Sequence, residues 1–181
     1  TNLVSNAGVV ATDTAGVGSA RNGLAACEYG EDKGIFGFGY GLTSGAGNVS
    51  MTNLVSNAGV VATDTAGVGT ARQSLAACSY GGDKGIFGYG EWSYYPATGL
   101  TNLVSNTGVV ATDTAGVGTA RWGIAATQYG YDKGIFGFGK QVNAPSTNIG
   151  VTNLVSNTGV VSSDVAAVGA AKYQPAACSF N

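Results

Sequence analysis

The side chains with chemical potential recur at intervals of about fifty residues. Aspartates stand at Asp13, Asp64, Asp113 and Asp164, cations at Arg21, Arg72, Arg121 and Lys172, and thiols at Cys27, Cys78 and Cys178. Adjacent Asp-Lys pairs fall at 32–33, 83–84 and 132–133. Like carboxylates gathered about an axis could form a metal ring or a paired-carboxylate catalyst. Each aspartate travels with a cation, however, so ion pairing or turn capping accounts for the same pattern and is the expectation adopted. The cysteines lack the C-x-x-C spacing of a zinc site, and there is no histidine to complete one. They are expected to be small, buried side chains in equivalent strands, reduced and inaccessible, with Thr127 in that place in the third copy. No metal or cofactor is expected. Without histidine in the chain's 181 residues, neither a Ser-His-Asp nor a Cys-His arrangement can form within it. No glycine run reads as a phosphate loop. The expectation is a protein that is not an enzyme.

The elements that must position these residues are themselves repeated. Thr-Asn-Leu-Val-Ser-Asn begins at residues 1, 52, 101 and 152, so a unit of about fifty residues is written three times in full and once in part. Periods of this size mark propellers, solenoids or arrays, because one unit cannot bury its apolar face alone. Only 10% of residues are charged and 31 are glycine, which suits short strands joined by tight turns. A net charge of −2 offers no basic stripe, making nucleic acid a poor partner. No apolar run is long enough for a membrane span. The chain opens on Thr inside a repeat with no leader in the residues given, as expected of a mature product or a fragment.

Within a unit, Leu3-Val4-Ser5 and Val9-Val10-Ala11 flank Asn6-Ala7-Gly8 and read as a hairpin. Leu24-Ala25-Ala26-Cys27 reads as a strand whose small side chains fit a place where strands converge. The segment 35–39 reads as another, with Phe36 and Phe38 alternating around Gly37 and expected on one face. Four strands per unit and no helical period predict an all-β fold, with each unit a propeller blade. A β-solenoid of two coils per unit ranks lower, because the two halves of the unit are unlike.

Arg72-Gln73-Ser74-Leu75-Ala76-Ala77, then Lys84-Gly85-Ile86-Phe87-Gly88-Tyr89-Gly90, a variable linker and the segment 101–113 together resemble a kelch repeat. Gly-Tyr-Gly or Gly-Phe-Gly stands where that family has Gly-Gly, and Val110 lies near the place of its outer-strand Trp. The resemblance implies a kelch-like β-propeller over 1–181 with strands a, b, c and d running outward from the axis. In the second unit these are 75–78, 86–89, 102–105 and 109–112. Three complete four-stranded blades would span 21–64, 72–113 and 121–164. A fourth would be shared between the N- and C-terminal ends, from 1–14 and 172–181, with 175–180 as its strand a. That blade has a, c and d but no b. Its unpaired edges would recruit another chain, giving a homo-oligomer or a filament through the chain ends. Phe36, Phe87 and Phe136 are expected to be buried between adjacent blades.

Residues 1–39 align with 52–90 without a gap and differ only at 19, 22, 23, 28, 31 and 38, so the variable positions are informative. After the recurring cation stand Asn22, Gln73, Trp122 and Tyr173, and the b–c linkers 40–51, 91–100 and 140–151 differ altogether. Up-and-down strands put these on one face. Loops on a rigid scaffold concentrate binding residues, and aromatics are frequent anchors. The candidate face is Asn22, Gln73, Trp92, Tyr94, Tyr95, Trp122 and Tyr173. Drift at unconstrained surface positions explains the same variation. The expected function is a structural or adhesive module of an extracellular or virion surface. The alternatives are a lectin-like propeller binding a glycan at each blade, or an engineered or amplified repeat with no natural ligand. Asn48-Val49-Ser50 is a lone glycosylation sequon in a linker.

Overall fold

A computed structural model describes residues 2–42, 46–92, 96–141 and 147–179, which contain twelve strands and no helix. The strands are β1 (Arg21–Asn22), β2 (Ala25–Tyr29), β3 (Lys33–Gly37), β4 (Tyr40–Gly41), β5 (Gly47–Asn48), β6 (Thr52–Val55), β7 (Ala76–Tyr80), β8 (Lys84–Gly88), β9 (Thr101–Val104), β10 (Ala125–Tyr129), β11 (Lys133–Gly137) and β12 (Thr152–Val155). They form three equivalent antiparallel sheets, ordered β2-β3-β6, β7-β8-β9 and β10-β11-β12. Register is the same in each: Ala25 faces Gly37 as Ala76 faces Gly88 and Ala125 faces Gly137. A fourth, smaller sheet, β1-β4-β5, is made by the first b–c linker folding back on Asn22.

The expected fourth strand of each unit is reduced to two isolated bridges, such as Val104 to Val110 and Thr101 to Thr114 in the second sheet. A side chain interrupts the ladder between them. Asn102 Nδ2 donates to the Ala111 carbonyl at 3.1 Å and to Asp113 Oδ1 at 2.9 Å. Asn53 and Asn153 do the same in their sheets.

The expectation that Phe36 and Phe38 share a face is overturned. Each β3-type strand ends at its glycine, and the next residue takes a left-handed backbone, with φ near 63° at Phe38, Tyr89 and Phe138. For an aromatic residue that conformation costs about 1–2 kcal/mol. It breaks the alternation, so Phe38 reaches toward the following sheet and meets Phe87 edge-to-face at 5.2 Å, while Tyr89 meets Phe136 at the same distance. Phe87 in turn reaches back to the preceding sheet. An added Cβ on Gly37 would lie 2.6 Å from Phe87 Cζ, and one on Gly88 equally close to Phe136. Two hydrophobic clusters fill these joints, one around Tyr29, Ile35, Phe38 and Phe87, the other around Tyr80, Ile86, Tyr89 and Phe136.

Phe87 and Phe136 are fully buried, but Phe36 is only half-buried, because no sheet precedes it. Phe138 is likewise half-buried where Phe38 and Tyr89 are enclosed. The expected closing blade is not formed as a sheet: residues 2–13 pair through one bridge, Val4 to Val10, and 175–179 carry no strand. Among the described residues, neither edge has a ladder partner on the side of a b strand. Phe180 lies outside the described residues.

Candidate functional site

The recurring Arg and Asp residues converge on one polar clasp per sheet. Arg72, with no exposed surface, donates from Nε to the Tyr89 carbonyl at 2.8 Å, from Nη1 to the Thr70 carbonyl at 3.1 Å and from Nη2 to Asn102 Oδ1 at 2.7 Å. Its guanidinium lies 4.2 Å from the centre of the Phe38 ring in the preceding sheet. Burial lowers the Arg72 pKa to about 10, with Asp113 opposing, and leaves it charged at neutral pH. Asp113 Oδ2 accepts from Thr70 N at 2.9 Å and from Thr70 Oγ1 at 2.6 Å, tying the connector between sheets to the outer edge. Arg121, Tyr89, Thr119, Asn153 and Asp164 repeat the arrangement. The ion pair itself is the smaller part, since Arg72 and Asp113 approach only to 3.9 Å. Asparagine, which the sequence reading passed over as a strand residue, is the hub. Its recurrence two residues into every Thr-Asn-Leu-Val segment was the available signal.

The clasp makes stability acid-sensitive. Burial pushes Asp113 and Asp164 up, but hydrogen bonds from Thr70 and Asn102, and from Thr119 and Asn153, hold them below the ordinary carboxylate range; Asn53 and Ser19 hold Asp64 down. A carboxylate depressed on folding stabilises fully above its unfolded value of about 3.9, and that contribution is lost as pH falls through the lower folded value. Through these aspartates, thermal melts should therefore fall below about pH 4. A melting temperature unchanged down to about pH 2 would contradict this assignment.

The Asp-Lys pairs are local and half-exposed, with Lys33 2.7 Å from Asp32 and Lys133 2.7 Å from Asp132. The second oxygen of each aspartate accepts from an asparagine of the neighbouring turn, as Asn57 donates to Asp32 at 2.9 Å. Among the described residues, no group of three or more Cys, Asp or Glu is placed to hold a metal ion.

The thiols do not form one buried set. All three are free; Cys78 is buried, Cys27 half-buried and Cys178 exposed. Burial pushes Cys78 up to about 12 and raises Cys27 further, with help from Cys78. The expectation of three inaccessible thiols fails at Cys178, where the tail lacks the strand that would cover it. A bulky maleimide should label Cys178 at once in the folded protein and leave Cys78 unmodified until denaturant is added. Equal rates at all three would contradict the placement.

The variable residues are brought together by backbone bonds that step from unit to unit. Ser74 N donates to the Gly23 carbonyl, Gly123 N to Ser74 and Gln174 N to Gly123, at 2.8–2.9 Å, all four residues being left-handed. Asn22, Gln73, Trp122 and Tyr173 each precede one of these residues. The linkers fold onto them: Asn22 pairs with Tyr40, Gln73 with Glu91, and Trp122 with Lys140. Trp122 and Tyr173 meet edge-to-face at 4.9 Å, with Lys140 Nζ 5.8 and 5.7 Å from the two rings. Glu91 is buried beside Gln73 and Ser74; burial raises its carboxyl pKa, offset in part by Ser74. Trp92 is partly exposed on the second linker, and Tyr94 and Tyr95 lie outside the described residues. Asn48 of the sequon is half-buried and donates to the Glu91 carbonyl at 3.2 Å, so its amide is used in packing.

No protein-family model matches this chain, and neither does any curated protein.

Proposed function

We propose that the chain is a non-enzymatic structural module, a kelch-like β-propeller whose sheets are blades around a common axis, serving on an extracellular or virion surface. The observation that carries this reading is the clasp: the recurring Arg and Asp side chains are spent on holding sheet to connector and sheet to sheet. Three sheets of one order and register, with β2 beside β7 and β7 beside β10, support the blade arrangement. The half-buried Phe36 and Phe138 support continuation of the array past both ends, into another copy or into the chain's own opposite end. Small-angle scattering should give the compact profile of a ring rather than an arc. Sedimentation from micromolar to millimolar protein should show self-association that is lost on deleting 172–181. A compact monomer throughout that range would remove self-association and leave closure internal.

The Trp122, Tyr173 and Lys140 cluster favours a second reading, a glycan-binding face, since sugars stack on aromatic rings and these two, half-buried against each other, keep part of their surface in solvent. A glycan array tests it, and no binding at millimolar sugar would remove it.

A further inference from the structure

The joint between neighbouring sheets occurs twice within the chain, and each end of the chain carries half of a third. In a complete joint, the b strand of the later sheet places Phe87 or Phe136 on a glycine of the earlier one. The later sheet's arginine covers the earlier sheet's aromatic, and glycines Gly85 and Gly134 pass within 2.6 Å, measured from an added Cβ, of the Cys27 and Cys78 sulfurs. Backbone amides close it: Gly30 N donates to the Asp83 carbonyl and Gly81 N to Asp132, both at 2.7 Å.

At the third sheet the cation's seat is taken by Lys172, with Nζ 5.1 Å from the centre of the Phe138 ring, while the seats of the phenylalanine and of the aspartate carbonyl have no occupant among the described residues. Among the described residues, Gly137 has only Thr152 Cγ2 near its Cβ position, at 3.3 Å, and nothing lies within 4 Å of that of Gly130. A cavity of about 170 Å³ opens there, between Gly137, Phe138 and Ile135 on one wall and Ala176 and Ala177 of the tail on the other. At the first sheet the reciprocal seats are vacant. Arg21 has no aromatic ring beneath it among the described residues, where Arg72 covers Phe38 and Arg121 covers Tyr89. Phe36, Leu24, Arg21 and Val61 line a cleft of about 430 Å³. Asn53 and Asn153 are at most 3% exposed in their sheets, whereas Asn2 is exposed.

We infer that the gap between the third sheet and the first is an acceptor site for one extended strand with the pattern Asp-Lys-Gly-Ile-Phe-Gly-aromatic-Gly. This is the b strand of the repeat itself, which stands between strands a and c in each of the three equivalent sheets. Its phenylalanine fills the cavity over Gly137, its first glycine passes Thr127, and the carbonyl of its aspartate accepts from Gly130 N. On the other side, its middle glycine receives Phe36 and its last aromatic lies under Arg21. The ladder is supplied by 175–179 and by the edge of 2–5 that faces away from its pairing with 9–11. The site requires the third and first sheets to face each other across one axis. It rests on the propeller reading.

The test uses the full chain and a labelled peptide of residues 32–39, Asp-Lys-Gly-Ile-Phe-Gly-Phe-Gly. The expected result is saturable binding, with slower hydrogen exchange at 2–5 and 175–179. A peptide carrying Gly37→Leu should bind at least about tenfold more weakly, since that position needs close approach, and a scrambled peptide not at all. Phe36→Ser and Gly137→Leu in the protein should each weaken binding by at least about tenfold with unchanged circular dichroism. Absence of saturable binding up to about 1 mM, or binding indifferent to the peptide's Gly37→Leu, overturns the inference. A compact-ring scattering profile without peptide binding removes the strand site alone, while an open arc removes the ring and the site together.

Discussion

Phe87→Ala should lose about 3–5 kcal/mol of unfolding free energy, the usual range for emptying a buried phenylalanine site, and Phe136→Ala should match it. Phe36→Ala, the same change at the same repeat position, should lose under about 1 kcal/mol. The difference comes entirely from neighbours. Phe87 closes on Gly37 and Phe38, and Phe136 on Gly88 and Tyr89, so truncation leaves a cavity in a joint that cannot collapse. Phe36 faces the open cleft, and its loss merely widens it. Urea unfolding of the three variants measures this directly. Equal losses at Phe36 and Phe87 would mean that the first sheet has a covering partner in solution, and a small loss at Phe87 would mean that the joint is not packed as described.

Arg72→Ala should be of similar severity, about 3–5 kcal/mol, the range for removing one partner of a buried, fully bonded charge. The Tyr89 and Thr70 carbonyls and Asn102 Oδ1 would each lose their donor, and Phe38 its covering guanidinium. Arg121→Ala should behave alike. Arg21→Ala should cost only about 1–2 kcal/mol, because Arg21 keeps the bond to Asn53 but lacks the Nε bond and the aromatic. Arg72→Lys should recover little, since one ammonium cannot span three acceptors that a planar fork reaches. A cost below about 1 kcal/mol at Arg72 would remove the clasp as the main polar tie.

Much of this molecule was legible from local pattern. The fifty-residue period, the turn glycines and the alternation of apolar residues determined an all-β chain of equivalent hairpins, because backbone conformation and strand pairing within a unit depend on neighbours close in sequence. The first three strands of each unit came out within a few residues of where the pattern puts them, β7 at Ala76–Tyr80 against an expected 75–78, while the expected fourth strand and the strand at 175–180 did not form as such among the described residues. The pairing of recurring Asp with recurring cations was legible too, although its real hub, Asn102, looked like an ordinary strand residue.

What only the tertiary structure decided concerns which side of each sheet is covered, and by what. Phe36, Phe87 and Phe136 are identical in sequence context, yet one is half-buried and two are enclosed, because burial is a property of the adjoining unit. The left-handed turn at Phe38, Tyr89 and Phe138 is a conformation that aromatic residues avoid unless packing enforces it, so local propensity points the side chain the wrong way. Cys27, Cys78 and Cys178 share one repeat position and three different exposures for the same reason. A periodic sequence specifies its repeated joints equally well everywhere; which of them is filled depends on what packs against each unit.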